Sequence, residues 1–150
     1  MIERRLIGID HGLARIGVAV SDRVGLTARE LAIIVRKSKR EDFERLNLIA
    51  VEQDAIAFIV GLPTDFEAPE GVYTQDKRVR TWVEQFKAAT ALPIMLWDEQ
   101  LTTVEAHELA HRLKRPPRAH VDDLAARLIL QSYLDAVRDG LAEPPLAGEA

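Results

Sequence analysis

A hairpin near the N-terminus limits the possible fold more than any other part of this sequence. It runs from Leu6 to Asp22 as an apolar strand, a short link and a second apolar strand. The link His11–Arg15 is short enough for a hairpin, which predicts that the two strands are antiparallel. The first strand is apolar until it ends on Asp10. Because an unpaired buried carboxylate is costly, we expect Asp10 to have a partner, and a metal ion is one such partner.

The rest of the chain alternates apolar strands with amphipathic helices. Further strands are predicted within 26–35, at 55–60 and at 93–97, and helices after Ser38, near 79–90, at 103–114 and at 121–138. The later strands read as continuous apolar runs and need helical crossovers, which predicts parallel pairing. The predicted fold class is therefore α/β, with a mixed five-stranded sheet (three antiparallel strands, then two parallel) and helices on both faces.

Length and composition favour one domain. We expect a single domain over residues 1–140 and a flexible C-terminal tail at 141–150, which contains Pro144, Pro145 and Gly148. No apolar run is long enough to cross a membrane, and the N-terminus does not resemble a signal peptide. The absence of cysteine excludes disulfides and thiolate metal sites and fits a cytoplasmic location.

Carboxylates follow two of the predicted buried strands. Ligands of such sheets bind at the carboxyl ends of strands, where Asp10 and the pair Asp98-Glu99 lie. Because successive side chains of a strand point to opposite faces, one member of that pair faces Asp10, and spacing alone does not decide which. Simpler roles remain open, since Asp10 can cap the bend at Gly12 and Glu99 can end an exposed strand.

The last helix opens with two further carboxylates. Asp122 shares its face with apolar positions, whereas Asp123 precedes Arg127 by four residues and is placed for a surface ion pair. This pattern favours Asp122 for chemistry and Asp123 for support, although Asp122 can also act as a helix N-cap. Clustered carboxylates without cysteine select hard cations such as Mg²⁺ or Mn²⁺. Two such ions roughly 3.5–4 Å apart can promote phosphodiester hydrolysis.

The net charge of −4 is unfavourable for binding nucleic acid, because phosphates are neutralised by lysine and arginine. Two basic clusters, at 36–40 and 112–118, can supply a local positive surface or can be ordinary solvated helix ends.

A short motif suggests a different chemistry. His107-Glu108-Leu109-Ala110-His111 matches H-E-x-x-H on a predicted helix, as in zinc proteases. The third ligand expected downstream is missing, and Pro116-Pro117 ends the helix at once. The preferred interpretation is a surface helix that buries Ala106, Leu109, Ala110 and Leu113.

Four segments resemble the YqgF/RuvX family of Holliday junction resolvase-like proteins. The hairpin resembles its D-x-G-x-x-R-I-G-V-A-x-S-D signature, and Gly61-Leu62-Pro63 resembles its V-G-L-P segment. Residues 97–106 resemble its D-E-R-L-[ST]-T-x-E-A segment, and residues 121–134 resemble its final D-x-x-A-A-x-x-I-L-x-x-[YF] helix. The resemblance spans residues 5–138. Gln100 replaces the family's arginine, and the loop at 65–69 departs from the usual sequence.

The resemblance implies an RNase H-like fold and a nuclease site. Carried over by position, Asp10, Glu99 and Asp122 are the implied acidic triad and the ligands of Mg²⁺ or Mn²⁺, with Asp123 as a further candidate ligand. The expected phosphate-binding residues are Arg15, Lys114, Arg115 and Arg118.

The implied activity is metal-dependent cleavage of structured RNA in maturation of the 5′ end of pre-16S rRNA. The first alternative is resolution of four-way DNA junctions, which requires two symmetric cuts and therefore a homodimer. The second is a nucleic-acid-binding factor without catalysis. A fragment of an actin-like ATPase is disfavoured, because no second glycine-rich phosphate loop is present.

Overall fold

The sheet and its helices are defined in a computed structural model that describes residues 4–63, 74–98 and 103–145. Within these ranges the strands are β1 (Arg5–His11), β2 (Arg15–Ser21), β3 (Ala28–Val35), β4 (Ala55–Leu62) and β5 (Ile94–Asp98). The helices are α1 (Lys39–Glu52), α2 (Gln75–Lys87), α3 (Thr103–Arg112) and α4 (Asp122–Arg138).

The strand order β3-β2-β1-β4-β5 confirms the predicted mixed sheet. β1 pairs antiparallel with β2, which pairs antiparallel with β3, while β4 runs parallel to both β1 and β5. The β1–β2 link is shorter than predicted, because the strands extend to His11 and Arg15. The Gly12 amide closes the turn on the carbonyl oxygen of Arg15 at 2.9 Å.

The two faces of the sheet carry side chains of different size. The face toward α1 and α2 is built from large apolar residues such as Ile9, Phe58 and Leu62, packed on a cluster of aromatic rings: Phe43, Trp82 and Phe86. The face toward α4 carries smaller residues, including Ala19 and Ala57. Because packing distance follows side-chain size, this difference predicts that α4 lies closer to the sheet than the other two helices.

Glycines set the closest approach of α4. A methyl group on Gly17 would lie 1.8 Å from the carbonyl oxygen of Asp122, and one on Gly8 would lie 2.7 Å from Cβ of Leu130. A methyl group on Gly61 would meet Cδ1 of Ile129 at 2.5 Å. The N-terminus of α4 therefore rests on the backbone of β2.

The first part of the predicted tail is packed against α4. Gly140, with φ of +76°, ends the helix, and the Leu141 amide donates to the carbonyl oxygen of Ala136 at 2.7 Å. The buried Tyr133 hydroxyl donates to the carbonyl oxygen of Glu143. The carbonyl oxygen of Glu143 thus has a partner on α4, and the flexible C-terminal tail at 141–150 stays a prediction.

Among the described residues, no helix is both long enough and apolar enough to cross a membrane.

Candidate nuclease site

Asp10 and Asp122 line the same cavity. Asp10 is the penultimate residue of β1 and pairs across the ladder with Gly17, while Asp122 is the first residue of α4. Burial, followed by the negative charge of Asp122, raises the pKa of Asp10 from 3.8 to about 6. The two carboxylates thus form a pair whose charges repel, in a position where a cation would relieve the repulsion.

Glu99 and Gln100 lie outside the described residues, as does the loop at 64–73. The assignment of Glu99 as the third carboxylate therefore stays a prediction. Asp98, the alternative that spacing left open, is exposed and pairs with Leu62, which belongs to the core under α1 and α2. Because laterally paired residues share a face of the sheet, Asp98 lies on the face opposite Asp10.

The hairpin that carries Asp10 is held by two arginines. Arg15 at the start of β2 donates from Nε to Oδ1 of Asp122 at 3.1 Å. Arg36 donates from Nη1 to the carbonyl oxygen of Gly12 at 2.9 Å, and its Nε lies 3.9 Å from the buried Asp42 carboxylate. The first arginine joins the hairpin to α4, and the second joins it to the end of β3 and to α1.

The cavity has a volume of about 480 Å³ and opens between α3, the loop after it and the strand ends. Besides the two carboxylates, its polar lining includes Arg15, Gln75, His107, Arg118 and His120. Arg15 and Arg118 are two of the residues predicted from the sequence to bind phosphate, whereas the other three were not predicted to do so. The H-E-x-x-H motif drew attention to His107, but for zinc chemistry.

The other two predicted phosphate-binding residues are placed differently. Lys114 does not line the cavity and adopts a left-handed backbone, with φ of +60°. Arg115 does not line it either, because its guanidinium group binds both carboxylate oxygens of Asp123 at 2.8 Å. The expected Asp123–Arg127 pair is wrong, since Arg127 contacts Glu30 at 3.4 Å instead.

The donor set fits a hard divalent cation. Asp10 and Asp122 supply oxygen ligands, and the raised pKa of Asp10 marks a carboxylate that lacks compensating positive charge. No group of three His, Asp or Glu side chains in the described part of the chain is arranged to hold a metal ion. A metal ion bound by Asp10 and Asp122 would therefore need a third protein ligand from outside the described residues. The family resemblance implies that this ligand is Glu99.

The helix that carries the H-E-x-x-H motif is a surface helix with a buried apolar face, as preferred in the sequence analysis. Ala106, Leu109 and Ala110 are buried, whereas His107 and His111 are exposed. Leu113 is 43% exposed and departs from the predicted buried face, because α3 ends at Arg112.

His11 occupies the opposite face of the sheet from Asp10 and titrates in the opposite sense. The centroid of its ring lies 4.8 Å from the ring centroid of Trp82. Burial, followed by the positive charge of Arg36, lowers the pKa of His11 from 6.5 to about 4. The folded state therefore holds His11 neutral between these values while the unfolded chain is protonated, so this residue costs stability as the pH falls from 6.5 towards 4.

We expect His11→Phe to remove part of the acid sensitivity of the metal-free protein. The stability that His11 costs at pH 4 is at most about 3 kcal/mol. Melting temperatures of variant and wild type should diverge as the pH falls from 6.5 to 4, in favour of the variant. Asp10 titrates in the same pH range, but its effect on stability has the opposite sign. The measurement is therefore the difference in melting temperature between variant and wild type at each pH. His111→Phe, at an exposed position, is the control, and equal slopes for His11→Phe and wild type would contradict the assignment.

Comparison with known sequences agrees with the resemblance. The family model for RuvX, described as Holliday junction resolvase, matches residues 4–136. A protein of Syntrophus aciditrophicus is 42% identical over 136 residues, which cover 89% of each chain. A protein of Thermoanaerobacter pseudethanolicus is 42% identical over 139 residues, covering 90% of this chain and 99% of the relative. Both relatives carry the provisional name pre-16S rRNA nuclease.

Comparison with solved structures confirms the predicted RNase H-like fold. RuvC of Thermus thermophilus, solved with a Holliday junction substrate, superimposes with a TM-score of 0.58 at 19% identity, covering 95% of this chain and 99% of RuvC. The fowlpox virus resolvase, solved with Holliday junction DNA, gives a TM-score of 0.50 at 10% identity, covering 89% and 98%. At these identities the likeness concerns the fold alone.

Proposed function

This chain belongs to the RuvX family, described as Holliday junction resolvase, and from that membership we propose that it is a divalent-metal-dependent nuclease acting on pre-16S rRNA. The reaction is hydrolysis of phosphodiester bonds at the 5′ end of the precursor. The relatives in Syntrophus and Thermoanaerobacter, which share 42% of their aligned residues with this chain, support rRNA as the substrate. The cytoplasmic location expected from the sequence stays a prediction.

One observation carries the proposal: two carboxylates from distant parts of the chain face the same open cavity, and one of them, Asp10, is partly buried and has a raised pKa. Arg15 pairs with Asp122, whereas no basic side chain in the described part of the chain forms an ion pair with Asp10. Two like charges held together in a cavity are costly unless a cation binds there. The same cavity carries Arg15 and Arg118, which can bind phosphate oxygens.

Asp10, Asp122 and Glu99 are the residues that would hold Mg²⁺ or Mn²⁺. When bound, the ions would supply activation of a water molecule and stabilisation of the leaving oxygen. Strand alternation supports Glu99 as the third ligand, because its neighbour Asp98 lies on the face opposite Asp10. Above pH 6 Asp10 is deprotonated and able to bind a cation.

Arginines would orient both the site and the substrate. The Arg15 guanidinium fixes Asp122 through its 3.1 Å contact and leaves other N–H groups for a phosphate. Arg118 is exposed on the cavity wall, where it would bind the nucleic-acid backbone without selecting a base sequence.

A panel of substrates tests the proposal. We expect the purified protein with Mg²⁺ or Mn²⁺ to cleave a pre-16S rRNA fragment that contains the 5′ leader. It should act at least about tenfold more slowly on single-stranded RNA of scrambled sequence and on a four-way DNA junction. The measurement is the initial cleavage rate at equal substrate concentration, with EDTA as the control.

The other outcomes identify the alternatives. Faster cleavage of the junction, by a protein that sediments as a dimer, would favour the resolvase function that the family description names. Salt-dependent binding without cleavage, unchanged by Asp10→Asn, would instead identify a non-catalytic binding factor.

A further inference from the structure

The loop between α3 and α4, residues 113–121, forms one wall of the active-site cavity. Arg118 and His120 belong to this wall, together with Pro117 and Ala119. Arg115 lies in the same loop, but its side chain binds other parts of the protein instead of lining the cavity. The basic loop thus contains two kinds of arginine, one available to a ligand and one occupied by the fold.

The contacts of Arg115 reach two other elements and the far end of its own loop. Its Nη1 and Nη2 donate to Oδ1 and Oδ2 of Asp123, both at 2.8 Å, in a bidentate pair. Nη2 also lies 3.6 Å from Oε2 of Glu30 on β3, and Nη1 donates to the carbonyl oxygen of His120 at 3.4 Å. One guanidinium group thus joins the far end of the loop to the first turn of α4 and to β3.

The backbone explains why Arg115 stands in this position. The Lys114 amide donates to the carbonyl oxygen of His111 at 3.0 Å, and the Arg115 amide donates to that of Ala110 at 3.0 Å. With Lys114 in the left-handed conformation, these two bonds form a Schellman motif that ends α3. Pro116 follows and prevents the helix from continuing. The direction in which the chain leaves α3 is therefore fixed at Arg115.

We propose that Arg115, Asp123 and Glu30 form a positioning hub that sets the 113–121 loop against α4 and β3 and so presents Arg118 and His120 to the nucleic acid. This inference rests on the proposed nuclease function. Arg115 acts through the loop instead of binding a phosphate, and Asp123 acts through Arg115 instead of binding the metal.

Exposure and geometry support a role that depends on the shape of the side chain. The side chains of Arg115 and Asp123 are 23% and 10% exposed. A bidentate pair needs the planar fork of arginine, which the single ammonium group of lysine does not reproduce. A residue that only attracts phosphate would tolerate lysine, whereas a member of the hub would not.

The test compares Arg115→Lys and Arg115→Gln in cleavage of the pre-16S fragment. We expect both variants to raise KM about tenfold and to change kcat by less than about threefold, because misplaced binding groups weaken substrate binding. Asp123→Asn should reproduce the rise in KM and leave the dependence on Mn²⁺ concentration unchanged. Arg127→Gln is the matched control, since Arg127 contacts Glu30 without touching the loop, and it should change KM less than about twofold.

Three results would overturn the hub. Wild-type KM in Arg115→Lys together with a raised KM in Arg115→Gln would show a direct phosphate contact. A changed Mn²⁺ dependence in Asp123→Asn would make Asp123 a ligand. Lower stability with unchanged KM in all variants would show that the hub only stabilises the fold.

Hydrogen exchange separates failure of the hub from failure of the proposed function. The hydrogen-bonded amides of the loop, those of Leu113, Lys114, Arg115 and Ala119, should exchange at least about tenfold faster in Arg115→Lys than in wild type. Amides of α1 should be unchanged, and both results hold whether or not the protein cleaves RNA. Unchanged exchange would contradict the hub. If Arg115→Lys does not fold, Glu30→Gln weakens the 3.6 Å contact with Arg115 and should shift exchange and KM in the same direction. The same change also weakens the 3.4 Å contact with Arg127, and Arg127→Gln tests that contact alone.

Discussion

Asp10→Asn should abolish cleavage and at the same time stabilise the metal-free protein. We expect the rate to fall by at least roughly 10³-fold, because a ligand of the catalytic metal is lost. In EDTA at pH 7.5 the melting temperature should rise. Activity and stability thus move in opposite directions, which is the signature of a residue retained for function.

The sign of the stability change follows from the pKa of Asp10. In the folded state this carboxyl keeps its proton up to about pH 6, whereas in the unfolded chain it loses the proton near 3.8. Stability therefore falls as the pH rises from 3.8 to 6, and the full cost is present above pH 6. The cost is at most about 3 kcal/mol, and partial exposure to solvent reduces it. The difference between variant and wild type should vanish near pH 4.

Two neighbouring residues provide the controls. Asp98→Asn changes an exposed carboxylate at the end of β5 and should leave the rate within about twofold of wild type. Glu99→Gln should lose activity as Asp10→Asn does, if Glu99 is the third ligand. Full activity of Asp10→Asn, in a preparation free of other nucleases, would contradict the triad. Lower stability of that variant in EDTA would contradict the charge repulsion between Asp10 and Asp122.

Gly17→Ala should damage both the fold and the site. The new methyl group would lie 1.8 Å from the carbonyl oxygen of Asp122 and 2.9 Å from the Asp123 amide nitrogen. Because both are backbone atoms, the first turn of α4 must move away from β2. We expect a loss of at least about 2–3 kcal/mol in the free energy of unfolding. The cleavage rate should fall roughly 10²-fold, since Asp122 moves relative to Asp10.

Substitutions at two other glycines distinguish steric overlap from backbone strain. Gly61→Ala also meets α4, but the atom it contacts is the flexible end of Ile129, so a smaller loss of stability is expected. Gly140→Ala meets no atom within 4 Å and costs only the strain of a positive φ, about 1 kcal/mol. Stability should decrease in the order Gly140→Ala, Gly61→Ala, Gly17→Ala. An equal loss in Gly17→Ala and Gly140→Ala, from unfolding in urea, would contradict a steric origin.

Local patterns predicted the parts of the fold that depend on local sequence. Alternation and apolar runs identified the β1–β2 hairpin and the strand that ends at Asp98. The helix predicted after Ser38 is α1, and the Ser38 hydroxyl oxygen caps it by accepting a hydrogen bond from the Glu41 amide at 3.1 Å. These features depend on neighbours within a few residues. The mixture of antiparallel and parallel strand pairing followed from the lengths of the connections.

Contacts between distant segments could not be predicted from such local patterns. The four-residue spacing predicted a pair between Asp123 and Arg127, whereas the actual partner of Asp123 comes from the loop and that of Arg127 from β3. Helix spacing describes which side chains can meet, and the surrounding fold decides which of them do. His107 was noticed for the wrong chemistry, because its place on the cavity wall depends on how α3 packs.

The glycines under α4 restrict how the length of this chain can vary. Gly17, Gly8 and Gly61 lie on the adjacent strands β2, β1 and β4 and together form the track on which α4 rests. Side chains in a strand alternate between faces, so inserting or deleting a single residue ahead of one of these glycines turns it to the opposite face. A larger side chain would then stand beneath the helix. Relatives can therefore gain or lose residues between strands, but not one residue at a time within them.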